Sequence, residues 1–190
     1  FVSTPAYKLM ARIDWNINDN HKINVRFTRS HTKDSNSPST SVSPMTASKI
    51  YPGLESEGVK AGNGRGSRYA LTFENSRYYK DKNFTSIAGE WNSKWMGGKL
   101  NNVLRATYSF QDEPRSYEGK DMPTVDILKD GALYASFGPD IFTVGNLAQT
   151  KTTVITDELL WSTGIHNFTG GLQFEMTDAI NGYMQAGNGY

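Results

Sequence analysis

The chain contains no cysteine, which removes disulfide frameworks, thiolate metal sites and cysteine nucleophiles together. No stretch approaches the roughly 18 to 20 consecutive apolar residues that a transmembrane helix needs, so helical membrane proteins are excluded. Hydrophobic residues fill only 37% of the 190 positions, and there are just three histidines. Charge of either sign is not in excess: 20 Lys and Arg face 19 Asp and Glu, and the net charge of +1 gives no footprint for nucleic acid. What the chain does have is aromatic side chains at 12% and 18 glycines, a mixture foreign to disordered tails. It opens on Phe1 without a charged and then apolar leader, so it is expected to be a piece of a longer protein whose targeting signal lies upstream.

Helical periodicity is scarce, whereas alternation with a period of two is plain. Tyr7, Leu9, Ala11, Ile13, Trp15 and Ile17 alternate with Lys8, Met10, Arg12, Asp14 and Asn16. After a turn at Asn18, Asp19, Asn20 and His21, the residues Ile23, Val25 and Phe27 alternate with Lys22, Asn24, Arg26, Thr28 and Ser30. These read as one hairpin, with Arg29 breaking the apolar face and requiring a bulge, a rim position or a protein neighbour. A second hairpin is expected over about 84–111, turning at Met96, Gly97, Gly98 and Lys99. Its outgoing strand sets Leu100, Leu104, Ala106, Tyr108 and Phe110 against Asn101, Arg105, Thr107, Ser109 and Gln111; its incoming strand carries Ile87, Trp91 and Trp95. A third spans about 151–178, turning near Gly164, Ile165 and His166, with Phe168, Leu172, Phe174 and Met176 on one face. Its first strand, 154–161, is mixed and its faces stay unassigned.

Between the hairpins lie long polar connections, about 33–83 and 112–149, and loops of this length usually carry function or disorder. Residues 68–79 could add a short helix or strand inside the first. Tight turns at one end and long excursions at the other are the signature of outer-membrane β-barrels, whose strands run to about 9 to 11 residues. Trp15, Trp91, Trp95 and Trp161 all precede a short turn closely, which would collect them in an aromatic girdle at the periplasmic interface. Tyr69, Tyr78, Tyr79, Tyr108 and Tyr117 fall toward the other end. A soluble β-sandwich also alternates, and alternation alone does not say whether an apolar face meets lipid or a second sheet.

The run RIDWNINDNHKINVRFTRSH (12–31) resembles a barrel hairpin of TonB-dependent outer-membrane receptors. ENSRYY (74–79), GEWNSKW (89–95), KLNNVLRATYSFQDEPR (99–115), MPTVDI (122–127), YASFGPDIF (134–142) and GIHNFTGGLQFE (164–175) continue the likeness in order. Together they resemble the barrel of the Oar-like group, whose members often carry an N-terminal carboxypeptidase-regulatory-like domain. The resemblance covers nearly all of the chain. It implies an all-β fold, an antiparallel up-and-down transmembrane barrel of about 22 strands closed around a plug, to which residues 1–190 contribute about six strands and long extracellular loops. A further loop would begin near 181–190. No plug and no TonB box is recognisable here. The implied function is energy-coupled uptake of an unidentified nutrient across the bacterial outer membrane. The implied partners are the lipid bilayer, the TonB complex reached through the N-terminal part, a surface lipoprotein or other partner protein, and the nutrient, with no nucleic acid. Two other readings stay open: a barrel acting as a scaffold whose loops bind a protein, and a soluble sandwich acting as a binding module.

Catalytic chemistry finds little support. His21, His31 and His166 lack metal-site spacing, no G-x-S-x-G elbow occurs, and AGNGRG around Gly62 and Gly66 lacks the Lys-Ser/Thr ending of a phosphate loop. Asp34, Asp112, Glu113, Asp121, Asp126 and Asp140 are placed in loops where carboxylates could hold a hard cation, but without the spacing of a calcium loop. The expectation is no catalytic site, no metal and no cofactor. Arg12, Asp14, Arg26, Glu90, Lys94, Arg105 and Glu175 on the polar strand faces would point into the lumen, as a solvated or plug-contacting wall. Ligand contacts are expected from the two long connections, with no individual residue assigned.

Overall fold

The computed structural model describes residues 3–38, 65, 70–130, 132–143 and 145–184. The glycines of AGNGRG and Tyr69 lie outside these residues. Six long strands form one antiparallel sheet: β1 (Ala6–Asn18), β2 (His21–Asn36), β4 (Tyr78–Trp95), β5 (Leu100–Tyr117), β8 (Leu147–Thr163) and β9 (His166–Gly182). They follow one another in chain order, each pairing with the next, which is an up-and-down meander. Three short strands, β3 (Leu71–Thr72), β6 (Val125–Lys129) and β7 (Ala132–Phe137), make a second sheet in the order β3-β7-β6. No helix of the described residues is long and apolar enough to cross a membrane.

The expected hairpins form with the expected turns. In the first, the Asn18 side chain accepts hydrogen bonds from the backbone N–H groups of Asn20 and His21, both at 2.9 Å, and so replaces the ladder where the strand reverses. In the second, Gly97 and Gly98 take positive φ, which a side chain would resist. The strands are longer than expected, 13 to 18 residues rather than about 9 to 11. Ladder pairing does not need apolar side chains, so it continues past the end of the alternation into polar residues at the long-connection end. This corrects the placement of Asp34, Asp112 and Glu113, which stand in β2 and β5, and of Asp126, which stands in β6. Residues 70–77 hold β3 and a single 3₁₀ turn, Glu74–Ser76.

Directly paired residues share a face, so the register fixes which side chains stand together. One face carries Leu9, Ile13 and Trp15 of β1, Ile23, Val25 and Phe27 of β2, Ile87 and Trp91 of β4, Leu104, Ala106 and Tyr108 of β5, Ile155 and Leu159 of β8, and Leu172, Phe174 and Met176 of β9. The mixed strand β8 is thereby assigned. Ile155, Leu159 and Trp161 join this face together with Asp157, which takes the Asn102 amide, while Val154, Thr156, Glu158 and Leu160 stand on the other. Nothing among the described residues covers the apolar face. Leu9, Ile13 and Phe174 are 55%, 73% and 58% exposed, where a sandwich would bury them under a second sheet.

The hairpins are also staggered. His21, first residue after its turn, pairs with Ser93 rather than with turn-adjacent Trp95, and Leu100 pairs with Trp161 rather than with Thr163 beside the following turn. Each successive hairpin thus reaches further than the one before, the kind of shift that tilts strands and curves a sheet. Within the described residues the sheet is open, with β1 and β9 paired on one side only.

The three-stranded sheet draws the two long connections together. Leu71 pairs in parallel with Ala135, and the buried ion pair of Arg65 with Asp126 also joins the two connections. Ser136 Oγ donates to Asp126 at 2.7 Å, and Thr124 Oγ1 donates to the Pro139 carbonyl at 2.6 Å. The buried apolar side chains of the described residues, Leu133, Ala135 and Ile141, lie here and in the adjoining turn. Gly138 adopts φ +90°, and a Cβ there would sit 2.6 Å from the Pro123 carbonyl oxygen. Gly138→Ala is therefore expected to cost about 1–3 kcal/mol locally. Limited proteolysis should cut the 118–146 connection faster, while amide-exchange protection in β4 and β5 stays unchanged.

Candidate functional site

The polar face of the sheet divides into two charged groups. Toward the short turns, Glu90 sits opposite Arg105 and accepts its Nε–H at 2.8 Å, with Asn92 donating at 2.7 Å and Asn24 at 3.2 Å. Arg105 reaches Glu158 on β8 at 3.5 Å, and Arg12 closes on Asp14 two residues along β1. Arg26, Lys94 and Glu175 stand on the same face with no ion pair among the described residues. All seven charged residues expected to share one face do so.

Toward the long connections, Lys82 pairs with Asp34 and Lys80 with Glu113, linking β4 to β2 and to β5. Lys80 lies opposite Arg115, and the next row runs Glu113, Ala148, Asn181. Over these two rows, on the charged face, lies the turn formed by residues 139–143, 145 and 146. Asp140 fixes it by accepting from the Phe142 N–H at 3.0 Å and the Thr143 hydroxyl at 3.1 Å. Asn146 donates to the Phe142 carbonyl and accepts the Met184 N–H at 2.8 Å, which pins the turn to the end of β9. Phe142 and Tyr183 stack, with centroids 6.3 Å apart and planes 10° from parallel. Between the rows and this roof lies a cavity of about 310 Å³, lined by Lys80, Glu113, Arg115, Asn146, Asn181 and Tyr183 among others.

The hydrogen bond from Lys80 is the chief reason that the Glu113 carboxyl is held below its ordinary value; partial burial opposes it, and a bond from Gln111 at 2.7 Å adds to it. Arg115 is exposed, donates to the Phe142 carbonyl at 3.4 Å and lies 5.4 Å from the Tyr78 ring centre. Among the described residues it meets no carboxylate.

The other candidate residues are dispersed. His31 approaches Asn83 at 2.8 Å and Asp81 at 3.8 Å at the long-connection end of the apolar face. His21 packs between Trp91 and Trp95, with centroids at 5.8 and 5.0 Å, and His166 lies beside Phe168. The acids considered as a cation site are spent separately: Asp34 on Lys82, Asp112 on Gln149, Glu113 on Lys80, Asp121 on Tyr117, Asp126 on Arg65, and Asp140 on its own turn. No cluster of three metal-ligating side chains occurs among the described residues. Of the cavity's lining, Glu113 alone was singled out in the sequence. Lys80, Arg115 and Asn181 come from three strands and meet only through the register.

The tryptophans gather as their positions suggested toward the short turns on the apolar face, in two rows separated by the row of His21, Ser93, Asn102 and Leu159. One row runs Trp15, Ile23, Trp91 and the other Trp95, Leu100, Trp161, Phe168. Arg29 stands at the opposite margin, in a row with Thr85, Phe110, Lys151 and Asp178, beyond which come His31, Asn83, Asp112 and Gln149. It occupies a rim, with no bulge in the β1–β2 register there. Tyr78, Tyr79 and Tyr117 lie at this end too, whereas Tyr108 sits within the apolar face. Comparison with family models, curated proteins and solved structures finds no match for this chain.

Because the folded value of Glu113 is lowered, its pairing stabilises above the ordinary carboxylate value of about 4.3 and is lost as pH falls through the folded one. Glu113→Gln should therefore melt below the unaltered protein at pH 7. Thermal scans of the two proteins should converge only once pH has fallen below the ordinary carboxylate range and through the lowered folded value.

Proposed function

We propose that this chain forms part of the wall of an outer-membrane β-barrel receptor of the TonB-dependent type, which takes up a nutrient through a plugged lumen. The observation that carries the reading is a single-layer antiparallel sheet with one exposed apolar face, one charged face, and every short turn at the same end. On β5 the apolar face runs from Leu100 to Phe110, about 34 Å at 3.4 Å per residue. At the usual strand tilt of about 40° that is roughly 25 Å along the normal, the height of a barrel's apolar band. The tryptophan rows at one margin and the Arg29–Lys151 row at the other suit the two interfaces, where indoles rest and long cations extend toward water. The stagger between hairpins is of the kind that barrel closure requires. The free sides of β1 and β9 would then pair with other strands, and plug and TonB complex would engage the charged face. The resemblance of 12–31 and the later runs to this receptor group supports the same conclusion.

Exposed Leu71, Phe73 and Tyr134 on the loop sheet favour a second reading, a barrel whose loops hold a partner protein or surface lipoprotein. The two readings share the membrane wall.

The wall is tested by reconstitution with brominated lipids. Fluorescence from Trp15, Trp91 and Trp161 should be quenched, and Phe174→Arg should cost about 2–4 kcal/mol while Gln173→Arg on the charged face costs far less. A folded, cooperative, detergent-free monomer would overturn the assignment.

A further inference from the structure

We propose that the cavity beneath the 139–146 turn recognises a small molecule through a carboxylate. The proposal rests on the preceding reading only for the direction in which the cavity opens, toward a water-filled interior.

The charge balance of the lining comes first. Lys80 and Glu113 neutralise one another, so the cavity's uncompensated charge is the guanidinium of Arg115. Arg115 spends one long hydrogen bond on the Phe142 carbonyl and leaves the rest of its fork open. A planar fork matches a carboxylate with two parallel hydrogen bonds, which an ammonium does not. One open cation beside the Glu113 carboxylate suits a monoanion. A phosphate dianion would bring a second charge that nothing in the lining compensates, within reach of Glu113.

The remaining walls describe the rest of the ligand. Asn181, exposed on β9 and without a side-chain partner among the described residues, offers both a donor and an acceptor. Tyr183, held by its stack on Phe142, supplies a flat apolar side. A volume of about 310 Å³ lies at the lower end for ligand sites and fits a dipeptide or a sugar acid. The turn that roofs the cavity is tied to the sheet through Asn146 and Met184, so the walls are formed before any ligand arrives, which limits the ordering cost of binding.

Two sources could supply the carboxylate, a peptide C-terminus or a uronic acid. The full chain in detergent micelles is titrated calorimetrically with N-acetylalanyltyrosine and its C-terminal amide, with glucuronate and glucose, and with inorganic phosphate. At least one acid should bind about tenfold or more tighter than its neutral partner, and tighter than phosphate, the loss expected for one charge-assisted contact. The pair that shows the preference identifies the source. Arg115→Gln should abolish the preference. Glu113→Gln, which frees Lys80, should strengthen acid binding several-fold, a gain that a misfolded protein cannot give. Equal binding of acid and neutral forms, an unchanged preference in Arg115→Gln, or no binding by either acid would overturn the proposal. Lipid quenching of the tryptophans is read separately: quenching without acid preference removes the site and keeps the membrane wall, and the reverse removes the wall and keeps the site.

Discussion

A sheet one layer thick has no interior, so its two faces must each find a favourable surrounding at the same time. Here that demand is met by phase. The two-residue period of side chains runs in step with the hydrogen-bond register across six strands, so Trp15, Ile23, Trp91 and Leu104 fall in one row and Asp14, Asn24, Glu90 and Arg105 in the next. A slip of one residue at any pairing would put the arginines and glutamates of one strand among the leucines and tryptophans of its neighbour. The short turns hold that phase. Asn18, through its side-chain oxygen, and Gly97 and Gly98, through positive φ, each fix where a strand reverses.

The charged face is organised rather than merely wet. Glu90 collects Asn24, Asn92 and Arg105 from three neighbouring strands, and Lys80 and Lys82 tie β4 to the strands on both sides. Such pairs contribute modestly where water reaches them, and their role is better described as register-keeping than as a source of stability. The true burial lies in the small loop sheet and the turn that follows it, where Arg65 and Asp126 are paired out of water and Leu133, Ala135 and Ile141 are buried. The six-stranded sheet and the small loop sheet thus rest on different physics.

How much of this could be read from the residues follows from range. Hairpin partners are close in sequence, and alternation plus Asn-Asp and Gly-Gly turns specifies them almost completely. Strand ends were illegible because beyond Phe110 the ladder continues through Asp112, Glu113 and Arg115 without any need for alternation. Strand β8 resisted because Asp157 intrudes on the apolar row and Leu160 on the polar one. The loop sheet left little local trace: a short element was expected at 68–79, but its partner was not, since β3 has two residues and pairs with β7, whose sequence lies beyond two intervening long strands. The cavity was hidden for the same reason, since Lys80, Arg115 and Asn181 are brought together by register alone.

The unequal turns have a consequence for how such a surface can change. Loop-closure entropy grows only with the logarithm of length, so doubling a long connection costs about 0.6 kcal/mol. Segments 37–77 and 118–146 can therefore be lengthened, shortened or replaced at little thermodynamic expense, whereas one residue added at Asp19–Asn20 or Gly97–Gly98 would shift an entire strand. One end of the six-stranded sheet thus fixes chain length and the other leaves it free, so what the long connections present can change without moving the strands.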